Sequence, residues 1–273
     1  LNNISPEKIA GHAGDMVGLE SGYLFKKFLN LFKIKDLECR EKDMYIDDED
    51  KLNYIFNSNI QNLEEADLVL LVGTNPRLEA TMVNARLRKA FVKNRLKIYS
   101  IGDPGDLTYD YIKLGDDIKI FENFINNKSD FYQTFIKSKK PVVIIGESVL
   151  ESKNGKYIFQ NTKKFLADNN FIRKEWNALN VLIQNASTIG LIDLGLMTNK
   201  TNNEISFFKK LETNAYELLY LLKSDNLNFT KKNEFIIYQG SHGDKGAEIA
   251  DIILPSASYT EQNELFINLE GKV

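Results

Sequence analysis

The stretch that decides the fold is residues 67–77, which reads Asp-Leu-Val-Leu-Leu-Val-Gly-Thr-Asn-Pro-Arg. Asp67–Val72 is an uninterrupted β-prone run, as expected of a strand that is covered on both faces of its sheet. Gly73–Pro76 follows as a tight turn, and apolar spacing predicts a helix over 77–93. A second β-prone run, Leu96–Ile101, comes next. Strand, turn, helix and strand in this length indicate a βαβ unit.

The turn after the first strand is the sharpest candidate binding site. Its candidate residues are Gly73, Thr74, Asn75, Pro76 and Arg77. Asn75 can cap the helix and Pro76 suits the first helical position, so the free N–H groups of the helix start would face an anion such as phosphate. Spacing alone favours an ordinary strand–helix turn, with Arg77 as an exposed side chain, over a phosphate site. The three-glycine dinucleotide fingerprint is absent, because only one glycine is present here.

The same alternation continues along the chain. Further strands are predicted at Pro141–Ile145, Phe235–Tyr238 and Ile249–Leu254, and a helix at Tyr157–Asp168. Other segments are predicted as follows: 5–32 as one or two helices, 34–62 as irregular, Trp176–Ala186 as helical or partly buried, 197–206 as an Asn-rich loop, and Tyr216–Leu222 as a short strand or helix. Strands that alternate with helices predict an α/β fold with largely parallel sheets.

Composition narrows the function classes. The 273 residues are 43% hydrophobic and 27% charged, with a formal net charge of −3, which is typical of a globular protein and argues against a basic nucleic-acid-binding surface. No apolar run approaches the roughly 20 residues of a membrane span. The single cysteine excludes an internal disulfide and a Cys-rich zinc or iron–sulfur site in this chain. Because the sequence starts at Leu1 rather than Met, we expect a piece of a longer polypeptide.

Other reactive residue types do not form a recognisable site. The loop Gly240–Gly246 contains Ser, His, Asp and Lys, but adjacent residues rarely point at one reaction centre. His12 and His242 are the only histidines, and no metal-binding spacing is present. Cys39 is interpreted as a bystander thiol, and Asp103 as a turn cap or, alternatively, a ribose-binding acid. We therefore predict no catalytic residue and no metal site.

Several segments together carry a family resemblance. The chain resembles the molybdopterin oxidoreductase superfamily, and within it the family of 75 kDa (G) subunits of NADH–quinone oxidoreductase, respiratory complex I. The matching segments are Glu65–Arg77, Val83–Lys89, Gly14–Ser21, Trp176–Leu182, Gly190–Gly195, Phe235–Asp244, Ala250–Pro255, Tyr259–Glu261 and Asn268–Gly271. The resemblance implies two Rossmann-like three-layer α/β domains with mostly parallel sheets. A discontinuous, incomplete domain would comprise 1–42 and 213–273, around an inserted domain at 43–212.

The resemblance also implies a function. In enzymes of the superfamily the turn matching Gly73–Arg77 contacts the phosphates of a molybdopterin guanine dinucleotide, whereas complex I subunits lack that cofactor and use the domain as a scaffold. The expected chain is thus a cofactor-free fragment of the peripheral-arm subunit, for NADH to quinone electron transfer. The 4Fe-4S and 2Fe-2S clusters would lie in an N-terminal part outside this sequence. Its partners would be other peripheral-arm subunits, on the cytoplasmic side of a bacterial inner membrane or the mitochondrial matrix side.

Two departures from the superfamily pattern bear on the site. A second glycine-led turn is expected after Tyr216–Leu222, but Lys223–Asn226 stands there. Cys39-Arg40 resembles the Ser-Arg of complex I subunits and is interpreted as a remnant, not as a molybdenum ligand. Two alternatives stay open: a functional molybdopterin-dependent oxidoreductase domain, and an anion- or nucleotide-binding module.

Overall fold

The computed structural model describes residues 3–197 and 205–273, which form two compact units. The first unit comprises Leu1–Asp43 and Asn185–Val273, and the second comprises Met44–Gln184. The strands are β1 Ile9–Ala13, β2 Asp36–Glu38, β3 Leu68–Val72, β4 Lys97–Ile101, β5 Ile112–Gly115, β6 Pro141–Gly146, β7 Leu179–Leu182, β8 Leu218–Leu222, β9 Phe235–Gly240 and β10 Ile252–Pro255. The α-helices are α1 Leu19–Leu31, α2 Pro76–Glu79, α3 Thr81–Asn94, α4 Ile118–Ile125, α5 Asp130–Ile136, α6 Glu147–Glu151, α7 Gly155–Asp168, α8 Thr188–Asp193, α9 Phe207–Glu212 and α10 Lys245–Ile249.

The second unit is built on a parallel sheet with the order β5-β4-β3-β6-β7. β3 lies in the middle, paired with β4 on one side and β6 on the other. All of its residues are buried, which explains its continuous Leu and Val sequence. The βαβ unit predicted from the sequence is therefore present, with α2 and α3 between β3 and β4.

The first unit repeats this arrangement with the order β10-β9-β8-β1-β2, again parallel throughout. Its middle strand is β8, paired with β9, which follows it in sequence, and with β1. Two five-stranded parallel sheets with helices confirm the predicted fold class. In the second unit the chain runs from β3 to β4 and β5 on one side of the middle strand, and from β6 to β7 on the other side. In the first unit it runs from β8 to β9 and β10 on one side, and from β1 to β2 on the other. Ligands of such sheets bind at the carboxyl ends of these two strands.

Three predicted segments differ from the structure. Residues 5–32 contain strand β1 before helix α1, and 34–62 contains the short strand β2. Trp176–Ala186, predicted as helical or partly buried, contains the buried strand β7. β1 is misread because Gly11 lies in its middle, where the side chains of Phe25 and Leu29 from α1 take the space of a Cβ atom. Because a small residue is needed where a helix packs closely on the strand, β1 lacks the β-branched residue that would have indicated a strand at this position.

The unit boundaries differ in part from the predicted domains. The first boundary, after Asp43, is one residue from the prediction, but the second lies after Gln184 instead of 212. The segment from Asn185 packs with the first unit: the Ser187 hydroxyl donates to the carbonyl of Asp15, and Phe207 lies in that unit's core. The Asn-rich loop predicted over 197–206 falls mostly outside the described residues.

Candidate functional site

The predicted turn lies at the carboxyl end of the middle strand β3. Gly73 adopts φ +55°, in the left-handed region that favours glycine. Its N–H donates to the carbonyl of Ile101 at 3.0 Å, and its carbonyl accepts from the Ser148 hydroxyl. A Cβ atom at this position would run into Val149. Glycine is therefore required here both by the backbone angle and by packing.

The helix start follows the prediction. The Asn75 side-chain oxygen accepts from the N–H groups of Arg77 at 3.0 Å and Leu78 at 3.2 Å. Pro76 takes the first helical position, where its missing N–H costs nothing. The helix is short, however, because α2 ends at Glu79 and α3 begins separately at Thr81. Two of the donors that could have faced a phosphate are therefore already satisfied by Asn75.

The side chain of Glu79 satisfies two further donors of the turn. Its Oε1 accepts from the N–H of Asn75 at 2.8 Å, and its Oε2 accepts from the Thr74 hydroxyl at 2.7 Å. A carboxylate of this chain thus occupies the position of a bound anion at the helix start. Sequence reasoning missed Glu79, because it lies four residues after the N-cap Asn75, one residue beyond the capping-box spacing.

The cation of the turn has a partner as well. The Arg77 guanidinium forms an ion pair with Asp106 and also donates to the Asp106 carbonyl at 3.2 Å. The N–H of Thr108, together with Arg77, holds the Asp106 pKa below its usual range. Nearby, Asp103 caps a turn by accepting from the N–H of Gly105 at 2.9 Å, as one of its two interpretations expects. Arg77 is therefore explained without an external anion.

The first unit has an equivalent turn at the end of β8, where Lys223 stands in place of the glycine. Lys223 adopts φ +47°, and its N–H donates to the carbonyl of Gln239 on β9 at 2.7 Å. Gly14 follows the neighbouring strand β1, and a Cβ atom there would meet the carbonyl of Lys223. In the second unit Gly146 stands in the same relation to Gly73. The two turns thus have the same backbone geometry although their sequences differ.

The Lys223 turn borders a cavity of about 310 Å³ at the carboxyl ends of β1, β8 and β9. The residues that line it are Asp15, Met16, Lys223, Asp225, Asn226, Ser241, His242, Asp244 and Tyr259. Burial raises the pKa of Asp15 and lowers that of Lys223, and the Lys223 ammonium donates to Gln262. Three carboxyl groups against one ammonium make this cavity unfavourable for a phosphate.

The loop Gly240–Gly246 contributes to this cavity but forms no triad. The Ser241 hydroxyl lies 2.9 Å from Nδ1 of its neighbour His242, while Lys245 begins α10. Asp225, which sequence reasoning did not single out for this role, orders the loop. It accepts from the Tyr238 hydroxyl at 2.9 Å and from the N–H of Gly246 at 3.2 Å.

The other singled-out residues, His12 and Cys39, lie in the interior of the first unit. Nε2 of His12 lies 2.9 Å from the carbonyl of Arg40, and the ring stacks near Phe207. Burial lowers the pKa of His12 and raises that of the Cys39 thiol. Glu38 and Arg40 form a buried ion pair at 2.6 Å. Within residues 3–197 and 205–273 there is no cluster of three potential metal ligands, and no helix is long and apolar enough to cross a membrane.

These turns do not fit the phosphates of the superfamily cofactor. In one, Glu79 accepts from the N–H of Asn75 and would repel a phosphate. In the other, Lys223 replaces glycine, and its neighbours Asp15 and Asp225 add negative charge. Close approach of a phosphate to backbone N–H groups needs an open, uncharged turn.

The two parallel sheets, with their strand-end turns at the switch point, define a doubly wound α/β protein. The molybdopterin oxidoreductase family model matches residues 2–273, and the chain belongs to this family.

Relatives refine the comparison. The chain is 38% identical over 273 residues to the G subunit of the NADH-quinone oxidoreductase of Rickettsia bellii, with 100% of this chain and 39% of the relative aligned. It is 36% identical to the NADH-ubiquinone oxidoreductase 75 kDa subunit of Reclinomonas americana, covering 97% of this chain and 40% of that protein. A mitochondrial NADH dehydrogenase [ubiquinone] iron-sulfur protein 1 of Solanum tuberosum is 34% identical, covering 99% and 36%. The chain thus spans about two fifths of the length of these curated relatives.

Proposed function

We propose that this chain is part of the large peripheral-arm subunit of an NADH–quinone oxidoreductase and acts there as a scaffold without catalytic residues. The observation that carries the proposal is similarity along the whole chain to subunits of that complex. A working molybdopterin enzyme is not favoured, because the names of these relatives describe quinone and ubiquinone oxidoreductase subunits.

The residues of the Gly73–Arg77 turn are, in this proposal, a vestigial phosphate site. Supporting it, the donors of Thr74 and Asn75 bond to the Glu79 carboxylate, and Arg77 pairs with Asp106. A structural role explains why the turn keeps its glycine, its N-cap and its proline. Each of them shapes the backbone whether or not a ligand binds.

Electron transfer belongs, in this proposal, to parts of the subunit outside this sequence. We assign the 4Fe-4S and 2Fe-2S clusters to the remaining polypeptide, and the partners are other peripheral-arm subunits. The location is peripheral, on the cytoplasmic face of a bacterial inner membrane or the matrix face of the mitochondrial one. In support, one relative is named an iron-sulfur protein.

The experiment is a native purification of the full-length subunit, carrying an affinity tag, from the organism that encodes it. We expect it to migrate on a native gel with the other subunits of an NADH-oxidising, quinone-reducing complex. A subunit that migrates alone, without NADH oxidation, would contradict the assignment.

A point variant distinguishes a scaffold role of the Gly73–Arg77 turn from a ligand-binding role. Arg77→Gln removes the charge that a phosphate would need but leaves the helix cap intact. We expect quinone reduction by the assembled complex to stay within about twofold of the unaltered complex, since Arg77 lies at an exposed ion pair. Loss of activity with normal assembly would show that the turn binds a functional ligand. The matched control is Lys113→Gln, at another exposed pair of the same unit.

A further inference from the structure

One face of the first unit's sheet can be followed strand by strand through its register. Leu37, Gly11, Tyr220, Ile237 and Ile252 are consecutive partners from β2 to β10. Partners in neighbouring strands point to the same side of a sheet. This row therefore samples one face from edge to edge. We call it the α1 face, because helix α1 lies on it.

Helix α1 covers only part of this face. Phe25 and Leu29 pack directly on Gly11, and the ring of Phe25 meets Tyr220 edge-on at 5.2 Å. Phe28 reaches the same tyrosine at 6.2 Å. The helix is thus centred on β1 and β8, and β9 and β10 lie beyond it.

Burial falls along the face in the direction that leads away from α1. In the central row Leu37 is 4% exposed and Ile252 is 44% exposed. The adjacent rows behave alike: Leu254 on β10 is 39% exposed, and Phe235 on β9 is 42% exposed. The outer half of the face therefore presents an apolar floor of Phe235, Ile237, Ile252 and Leu254.

On the opposite face β9 is covered, whereas the edge strand β10 is exposed there too, with Ile253 57% exposed. Ile236 and Tyr238 of β9 are buried in a core cluster with Phe207 of α9, and Ala247 and Ile249 of α10 pack against it. A parallel sheet normally carries helices on both faces. Among the elements of the described residues, β9 thus has helices on one face only, and no helix covers its α1 face or the adjoining residues of β10.

The space beside α1 has the shape of a helix seat. Leu24 and Phe28 form an exposed apolar stripe at i and i+4 along α1, and Phe28 contacts Tyr220 of β8, the strand next to β9. Strands lie about 4.8 Å apart, so β10 is roughly 9.6 Å from β8. Packed helices have axes about 8–10 Å apart. A helix beside α1 would therefore sit over β9 and β10.

We propose that this seat, with the apolar floor on β9–β10 and the α1 stripe as its wall, is filled by an amphipathic helix of the same polypeptide outside these 273 residues. More than half of each relative lies beyond the matched region, which spans 39% and 40% of two of them, so the polypeptide has the chain length to supply it. A floor without charged side chains favours such an intramolecular helix over a transient partner. The inference does not depend on the proposed function.

The test is site-specific photo-crosslinking in the full-length polypeptide. The photoreactive residue p-benzoylphenylalanine replaces Ile252, and a control polypeptide carries it in place of Val92, an exposed position on α3 of the other unit. We expect the Ile252 probe to cross-link to a peptide of the same polypeptide outside residues 1–273, with apolar residues at helical spacing. The Val92 probe should not reach that peptide.

Other outcomes overturn the proposal. A cross-link from Ile252 to a different protein, to a second copy, or to a peptide within residues 1–273 would assign the seat to another occupant, and so would the absence of any protein cross-link. Hydroxyl-radical footprinting of the unaltered full-length polypeptide covers the case in which the probe disturbs folding. Phe235 and Leu254 should oxidise about tenfold more slowly than in urea, as enclosed side chains do. Oxidation as fast as in urea would leave the seat open and refute the inference.

Discussion

Lys223 and Gly73 occupy the same position in the two sheets, each one residue beyond the middle strand and each with a left-handed backbone. The φ angles are +47° and +55°, and each N–H donates to a carbonyl of the next strand, Gln239 and Ile101 respectively. Glycine, which this left-handed geometry favours, stands in the Gly73 turn. The other turn adopts the same geometry at Lys223, although it is unfavourable for lysine.

Each unit contains one natural reporter of its unfolding. Trp176, the single tryptophan, is buried in the second unit, where its indole N–H donates to the carbonyl of Pro141 at 2.8 Å. Cys39, the single cysteine, is buried in the first unit, and burial raises its thiol pKa. Tryptophan fluorescence and thiol labelling of this chain therefore follow the two units separately.

Substitutions of Gly73 and Lys223 should differ in how much they change the free energy of unfolding. Gly73→Ala is expected to cost about 2–3 kcal/mol, because a left-handed backbone strains alanine and the new Cβ meets Val149. Lys223→Gly is expected to change stability by no more than about 1 kcal/mol, since relief of strain offsets the greater chain entropy of glycine. Urea unfolding read by Trp176 measures the first and thiol labelling of Cys39 the second. Equal losses at both sites would contradict the account.

Removal of the internal carboxylate should destabilise the turn. Glu79→Ala leaves the Asn75 N–H and the Thr74 hydroxyl without their acceptor, at an expected cost of about 1–2 kcal/mol. The midpoint of the Trp176 transition should fall accordingly. Arg77→Gln is the matched control, which should move that midpoint little, since its ion pair is exposed. A stable Glu79→Ala protein would mean that the carboxylate does not hold the turn.

The buried ion pair of the first unit should be its most sensitive point. Glu38 accepts from the N–H groups of Cys39 and Arg40, both at 3.0 Å, in addition to the Arg40 guanidinium. Glu38→Gln removes the carboxylate whose two buried oxygens both accept from the Arg40 guanidinium, at a cost of about 3–5 kcal/mol. Cys39 should then react at lower urea concentration, with the Trp176 transition unchanged. Glu217→Gln, at an exposed pair with Lys8, should show no comparable shift, and the same effect from both would refute a special role for burial.

Acid should weaken the first unit through His12. Burial lowers the pKa of this imidazole, whose Nε2 bonds to the Arg40 carbonyl near Glu38. Below about pH 6.5 the unfolded imidazole takes up a proton that the folded one resists, so stability present above that pH is lost as pH falls towards 5. His12→Phe should remove this slope in Cys39 labelling, whereas His242→Gln, at an exposed loop, should keep it. Burial raises the pKa of Asp15 and of Glu41, so their protonation stabilises the unit as pH falls. Both groups are present in all of these variants, so they do not affect the comparison. An unchanged slope in His12→Phe would exclude this mechanism.

The sequence predicts the elements whose local and tertiary preferences agree. The sequence predicts strand Leu68–Val72, the turn after it and the N-cap asparagine. Burial on both faces, capping and proline placement are all recognisable from neighbouring residues. β1 could not be predicted, because Gly11 is required by the packing of α1, which lies later in the chain. Glu79 lies one residue beyond the capping-box spacing, and the left-handed backbone of Lys223 goes against local preference, so only the fold reveals the role of either residue.

The most direct test of the vestigial turn is metal and pterin analysis of the natively purified full-length subunit. Molybdenum and tungsten are measured by elemental analysis, and extracted pterin is measured by fluorescence in the same sample. Because Glu79, Arg77 and Lys223 all have partners within the chain, we predict neither metal nor pterin in stoichiometric amount. Molybdenum or tungsten near one per polypeptide, together with pterin, would contradict the scaffold account and make Gly73–Arg77 a working cofactor site.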